Sequence, residues 1–173
     1  MASGKYVKDY TLQDAPGADG KPVYIGAYYG YRADTETLRR ARRGYQTAVA
    51  VCAAAALAPL LVNTPIIRCW YVMLPLVFAL LPTGALVHRA ATVLRRDRLT
   101  HRERDRAVSA APWSVALVIL AALSLVGQTV LAARGGYTAA DLPVTLSALV
   151  LASGAARLFS LRGAFATEEL AAD

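Results

Sequence analysis

Cysteine, histidine and methionine occur only twice each in the 173 residues, and phenylalanine three times. Two cysteines cannot frame a disulfide scaffold in a chain of this length. Cys52 and Cys69 fall at different depths of two apolar runs and read as small apolar residues. The histidines, His88 and His101, stand 13 positions apart in a basic segment, with no Cys, Asp or Glu spacing near them that matches a zinc or iron site. Also missing are a nucleophile elbow, a glycine loop to cradle phosphate and a paired-carboxylate arrangement. Asp97, Glu103 and Asp105 alternate with arginines as local ion-pair partners. These absences predict no catalytic residue, cofactor or metal site, and a chain that is not an enzyme.

Charge is scarce as well. Charged residues make up 18% of the chain, against roughly 25% in a soluble domain. What fills the sequence instead is hydrocarbon: 56% of residues are hydrophobic and mean hydropathy is +0.38, which excludes a disordered chain. Four stretches hold no charge, 45–62, 69–87, 107–133 and 142–156. A bilayer core takes about 20 mostly apolar residues per helix, and the first three stretches reach roughly 27–40 Å at 1.5 Å per residue. The fourth becomes long enough by running to Arg162, with the Arg157 guanidinium snorkelling to the headgroups.

The predicted fold is therefore an all-α integral membrane protein: four transmembrane helices in two antiparallel hairpins, with a short cytoplasmic arm resembling a β-hairpin. Residues 1–33 form the arm and 34–94 a juxtamembrane helix with the first hairpin (spans about 45–62 and 66–87). A basic loop (95–108), the second hairpin (109–162, spans about 112–133 and 142–162) and a tail (163–173) follow. Thr64 and Pro65 read as N-cap and first residue of the second span. Gly135-Gly136 stops the third, and Asp141 before Leu142-Pro143 reads as cap of the fourth. Thr100 and Glu103 have capping-box spacing, and Pro112 kinks or restarts the helix leading into the third span. The halves echo each other: Leu74-Pro75 precedes Arg89 by the interval at which Leu142-Pro143 precedes Arg157. Generic hydropathy reproduces much of that likeness.

Orientation follows from counting Lys and Arg. Seventeen of the 19 lie in the first 44 residues, in 88–106 and after the fourth span, leaving Arg68 and Arg134 for the two connecting loops. The positive-inside bias puts both termini and the basic loop in the cytoplasm. Tyr45 and Trp113 then mark the inner interface, and Trp70, Tyr71 and Tyr137 the outer one. The first apolar run starts beyond residue 40, so the first span serves as targeting signal. Sixteen Arg against three Lys, a single Asn and abundant Ala point to a GC-rich genome and hence a bacterial plasma (inner) membrane.

Six of nine tyrosines, Tyr6, Tyr10, Tyr24, Tyr28, Tyr29 and Tyr31, crowd the arm. There, residues 6–12 and 23–31 read as strands around a turn at 14–20. An isolated hairpin is marginal in water, so the arm must lean on its own protein's loop, on headgroups, on a second copy or on another protein; its tyrosines are the candidates for docking a partner. Asp34 caps a helix whose Leu38, Ala41 and Tyr45 share a face, with Glu36 and Arg40 spaced as an i,i+4 pair. Arg39, Arg40, Arg42 and Arg43 form a collar. With Arg95, Arg96 and Arg98 of the loop they are candidates for contact with the anionic inner leaflet, at about 1 kcal/mol each. Nucleic acid is not an expected partner, because acids interrupt the basic patch and no stacking aromatic lies within it.

The central portions of the spans hold no ionisable residue. Gln128, Ser124, Thr129 and Thr83 are the polar groups at depth, where helix-to-helix hydrogen bonds account for them; Gln128 and Thr83 also mark a possible pathway, with Pro75 and Pro82 able to bend or break the second span. Ala50/Ala54/Ala58, Ala48/Cys52/Ala56 and Ala148/Ala152/Ala156 give small-residue faces that pack within the monomer or between copies. The expected function is a non-catalytic accessory or scaffold subunit docking a partner through arm and basic loop. The alternative is a homo-oligomeric channel or small-solute transporter.

Overall fold

The computed structural model describes residues 10–12, 22–92, 94, 96–108 and 110–170. Helix α1 (Thr35–Leu61) opens where Asp34 accepts the Thr37 amide at 3.0 Å, and it buries Leu38, Ala41, Tyr45, Ala48, Cys52 and Ala56 along one stripe. A 3-10 turn over Pro65–Arg68 leads to α2 (Trp70–Phe78) and α3 (Leu80–Thr92), which together make the second crossing. Then come α4 (His101–Val108), α5 (Ala110–Ala133) and α6 (Leu142–Ser160). Four helical segments, Thr35–Leu61, Trp70–Thr92, Ala111–Ala133 and Ala139–Phe165, are long and apolar enough to cross a membrane, and they define a multi-pass membrane protein. Leu57, Leu81, Ile119 and Leu146 project outward from all four, as lipid-facing residues do.

Each crossing packs on the next and the fourth closes on the first. α1 lies against α3 and α6, while α5 lies against α2, α3 and α6. The α1–α6 contact is close because Gly154 faces Cys52: a Cβ there would stand 2.6 Å from the Cys52 Sγ. Ala48, Cys52, Ala56 and Ala148 are buried inside the monomer, whereas Ala50 and Ala54 face outward.

Several local signals act as expected. Thr100 and Glu103 form the capping box, with Thr100 N–H donating to Glu103 Oε2 at 3.1 Å and Glu103 N–H to Thr100 Oγ1 at 3.4 Å. At the end of α5, Gly135 takes φ +72° while Gly136 N–H reaches the Leu131 carbonyl and Gly135 N–H the Ala132 carbonyl, a Schellman stop. Pro112 is the third residue of α5, and residue 109, between α4 and α5, lies outside the described residues.

Others resolve differently. The second crossing starts at Trp70, not 66, because Pro65–Arg68 winds as a 3-10 turn that Thr64 does not cap through its side chain. That crossing is interrupted at Ala79: Pro82 has no N–H to give the Phe78 carbonyl, so α2 ends and α3 begins one residue later. Asp141 does not cap α6. Its carboxylate accepts from Thr138 N–H at 2.8 Å, Thr138 Oγ1 at 2.9 Å and, across the other connecting loop, Ile66 N–H at 3.4 Å. One buried carboxylate therefore staples the two short loops together. The α-helix of the fourth crossing stops at Ser160 and tightens into a 3-10 turn, Leu161–Phe165. The halves also differ, since Arg89 is buried and Arg157 exposed.

The arm departs most from expectation. β1 (Tyr10–Leu12) pairs antiparallel with β2 (Pro22–Tyr24), placing Tyr10 opposite Tyr24. The strand read as 23–31, however, breaks after Tyr24, where the Tyr24 hydroxyl donates to the Ala27 carbonyl at 2.8 Å and turns the chain. Its second half, β3 (Tyr29–Tyr31), pairs instead with β4 (Thr167–Glu169) from the far end of the chain.

Candidate functional site at the basic end

β3 stands at the centre of a cap built over the end of the bundle that carries most of the cations. On one edge it meets β4, extended by Arg32 N–H to the Ala166 carbonyl at 3.0 Å and Leu170 N–H to the Tyr28 carbonyl at 2.9 Å. On the other, Tyr29 and Leu99 exchange both backbone hydrogen bonds, each 2.9 Å. Leu99 is fully buried and packs on Tyr29 and Tyr31. Next to it, His101 N–H donates to the Tyr24 hydroxyl at 2.9 Å, and the Arg104 guanidinium lies 4.4 Å from the Tyr29 ring centre.

A second layer joins this cap to the spans. Arg42 of α1 donates to the Arg96 carbonyl and to Asp97 Oδ1, both at 2.9 Å, and stands 5.4 Å from the Tyr31 ring centre. Phe165 lies edge-on between Tyr31 and Tyr45, at 6.2 and 5.7 Å, and the Arg89 guanidinium is 5.7 Å from the Tyr45 ring. Three rings thus stand between two guanidiniums, from Arg89 near the end of α3 to Arg42 below the cap, and each cation lies against the π face of a tyrosine. Burial pushes the Tyr31 phenol above its ordinary pKa, against the pull of the nearby Arg42 charge. The hydrogen bonds that Thr37 donates hold the Asp34 carboxyl below its usual range.

Of the tyrosines expected to dock a partner, Tyr29 and Tyr31 are half-buried within the cap, Tyr24 is tied to His101, and Tyr28 is exposed. Tyr6 and Arg95 lie outside the described residues. Arg39, Arg40, Arg43, Arg96 and Arg98 are exposed, with Arg40 paired to Glu36 and Arg96 to Glu103; Arg42 is turned inward. An apolar strip remains on the surface of the cap: Ile25 is 62% exposed, Tyr28 43% and Leu170 37%.

Gln128 and Thr83 are not brought together. Near the short-loop end, Gln128 Nε2 donates to Ser124 Oγ at 3.3 Å and its Oε1 accepts from Thr145, whose hydroxyl is 2.6 Å from Tyr137. Ser124 in turn donates to the Val72 carbonyl at 3.0 Å, so the chain of bonds fastens α5 to both α2 and α6. Thr83, nearer the basic end, donates to Ala79 in its own helix at 2.7 Å. Among the described residues no three His, Cys, Asp or Glu side chains gather closely enough to hold a metal ion. The sequence reading missed Leu99 and Phe165. Leu99 alone carried a signal, as the one apolar residue in the charged run 95–106.

No family model matches the chain, and no curated protein or solved structure does either.

Proposed function

We propose that this chain is a non-catalytic subunit of a plasma (inner) membrane, both termini cytoplasmic, that docks a protein partner on its capped end. The observation that carries the reading is the Ile25–Tyr28–Leu170 strip, held outward by a cap whose other aromatic residues are spent on internal contacts. Apolar side chains fixed on a rigid support, beside exposed arginines, have the composition of a docking surface. The distribution of cations supports the orientation. The docking face is thus narrower than the whole tyrosine-rich arm, and Tyr29 and Tyr31 serve it as scaffold. Gln128 has its amide committed to helix contacts and lends the channel alternative no comparable support.

The test is co-purification of the tagged full chain in mild detergent, with Ile25→Ser/Tyr28→Ser as the variant. Loss of a stoichiometric partner from a variant that still inserts and stays monodisperse supports the reading. Retention of every wild-type association sinks it. A second copy as the partner shows as a halved particle mass in the variant.

A further inference from the structure

A groove of about 730 Å³ opens at the basic end beside the first turns of α1, lined among others by Tyr31, Leu38, Arg39, Arg42, Arg98 and Leu170. Its charge is unbalanced. Asp97 is the one acid in its wall, and Arg42 already holds that carboxylate at 2.9 Å. Arg39 and Arg98 flank the groove from α1 and from the loop; both are exposed, and neither makes an ion pair among the described residues. Leu38 and Leu170 add an apolar wall, so the groove offers two guanidiniums next to hydrocarbon.

Its height relative to the bilayer narrows the ligand. The charge-free part of α1 begins at Gly44, so Arg39 stands five residues, about 7.5 Å of helix, beyond it. Headgroups occupy about 5–7 Å outside the hydrocarbon, and a long arginine stem folds back to that level. Two planar guanidiniums suit the oxygens of a phosphate, which they bind in forked pairs.

We infer that this groove binds a phosphate-bearing anion, gripped by Arg39 and Arg98 with its apolar portion against Leu38 and Leu170. The phosphate belongs either to an anionic phospholipid or to a soluble phosphate ester. Because Arg98 comes from the loop and Arg39 from α1, an occupied groove pins the loop to the helix. The inference is independent of the docking strip, which lies on other residues apart from Leu170.

Native mass spectrometry of the full chain in neutral detergent tests it, with dioleoyl phosphatidylglycerol, dioleoyl phosphatidylcholine and glycerol 3-phosphate as separate probes. Phosphatidylglycerol is expected to bind wild type, and Arg39→Gln/Arg98→Gln to bind it about tenfold less tightly. The control Arg43→Gln/Arg157→Gln removes two exposed arginines outside the groove and is expected to stay within about twofold of wild type. Glycerol 3-phosphate binding as tightly as the lipid, with the same dependence on Arg39 and Arg98, supports the site with a soluble ligand as its source. Equal losses in both variants would mean general attraction to the collar and overturn the inference, as would equal binding of phosphatidylcholine or no binding at all.

Discussion

Leu99 and Tyr29 exchange both of their backbone hydrogen bonds at 2.9 Å although 70 positions separate them. A two-bond bridge is small, but Leu99 is also wholly buried against Tyr29 and Tyr31. This single residue thereby couples the loop between the hairpins to the strand that the tail also pairs with.

Leu99→Ala should therefore open the cap. Truncating a buried leucine costs about 2–5 kcal/mol, and here the loss falls on a unit with few other apolar contacts. Hydrogen exchange at the Tyr29 and Leu170 amides, which donate to Leu99 and Tyr28, is expected to accelerate strongly while amides in α5 and α6 stay protected. Unchanged protection at Tyr29 would show that the backbone bridge holds without the side chain.

The α1–α6 seam predicts a compensating pair. Gly154→Ala places a methyl 2.6 Å from the Cys52 Sγ, an overpacking worth about 1–3 kcal/mol. Cys52→Ala removes the obstructing sulfur, so the double variant should recover most of the lost thermal stability in detergent. Simple addition of the two single effects would mean the helices had shifted apart instead.

Tyr31 gives a pH signature. Because burial raises its folded pKa, the fold favours the neutral phenol: that stabilisation is complete below the unfolded tyrosine value of about 10 and is lost as pH climbs through the higher folded value. In a tyrosinate absorbance titration, the difference between wild type and Tyr31→Phe should be a step above the ordinary range. A step at or below it would place Arg42's attraction ahead of burial.

Much of this architecture was legible in the sequence because its causes are local. The charge-free runs give the crossings, Asp34 sets the start of α1, and Thr100 with Glu103 sets that of α4, each through partners three residues apart. Two of the failures come from distance along the chain. Asp141 has the spacing of a helix cap, yet its carboxylate is used by Thr138 and by Ile66, 75 positions away. β3 continues β2 in pattern, but its partner lies 140 positions on, in the register Tyr29↔Glu169. The segment Thr167–Glu169 has no alternation of apolar and polar residues to announce a strand. Of the site, the cations were visible and the apolar strip was not, since which arm side chains stay exposed depends on that remote pairing.

The pairing also imposes an order of assembly. The chain makes β3 before any crossing and β4 only after the last, so the early strand keeps an unsatisfied edge throughout insertion and gains its partner once α6 has been threaded. Completion of the cap thus reports that all four passes have been made with both ends on one face, and a chain halted or inverted midway would display that bare edge to whatever surveys newly made membrane proteins.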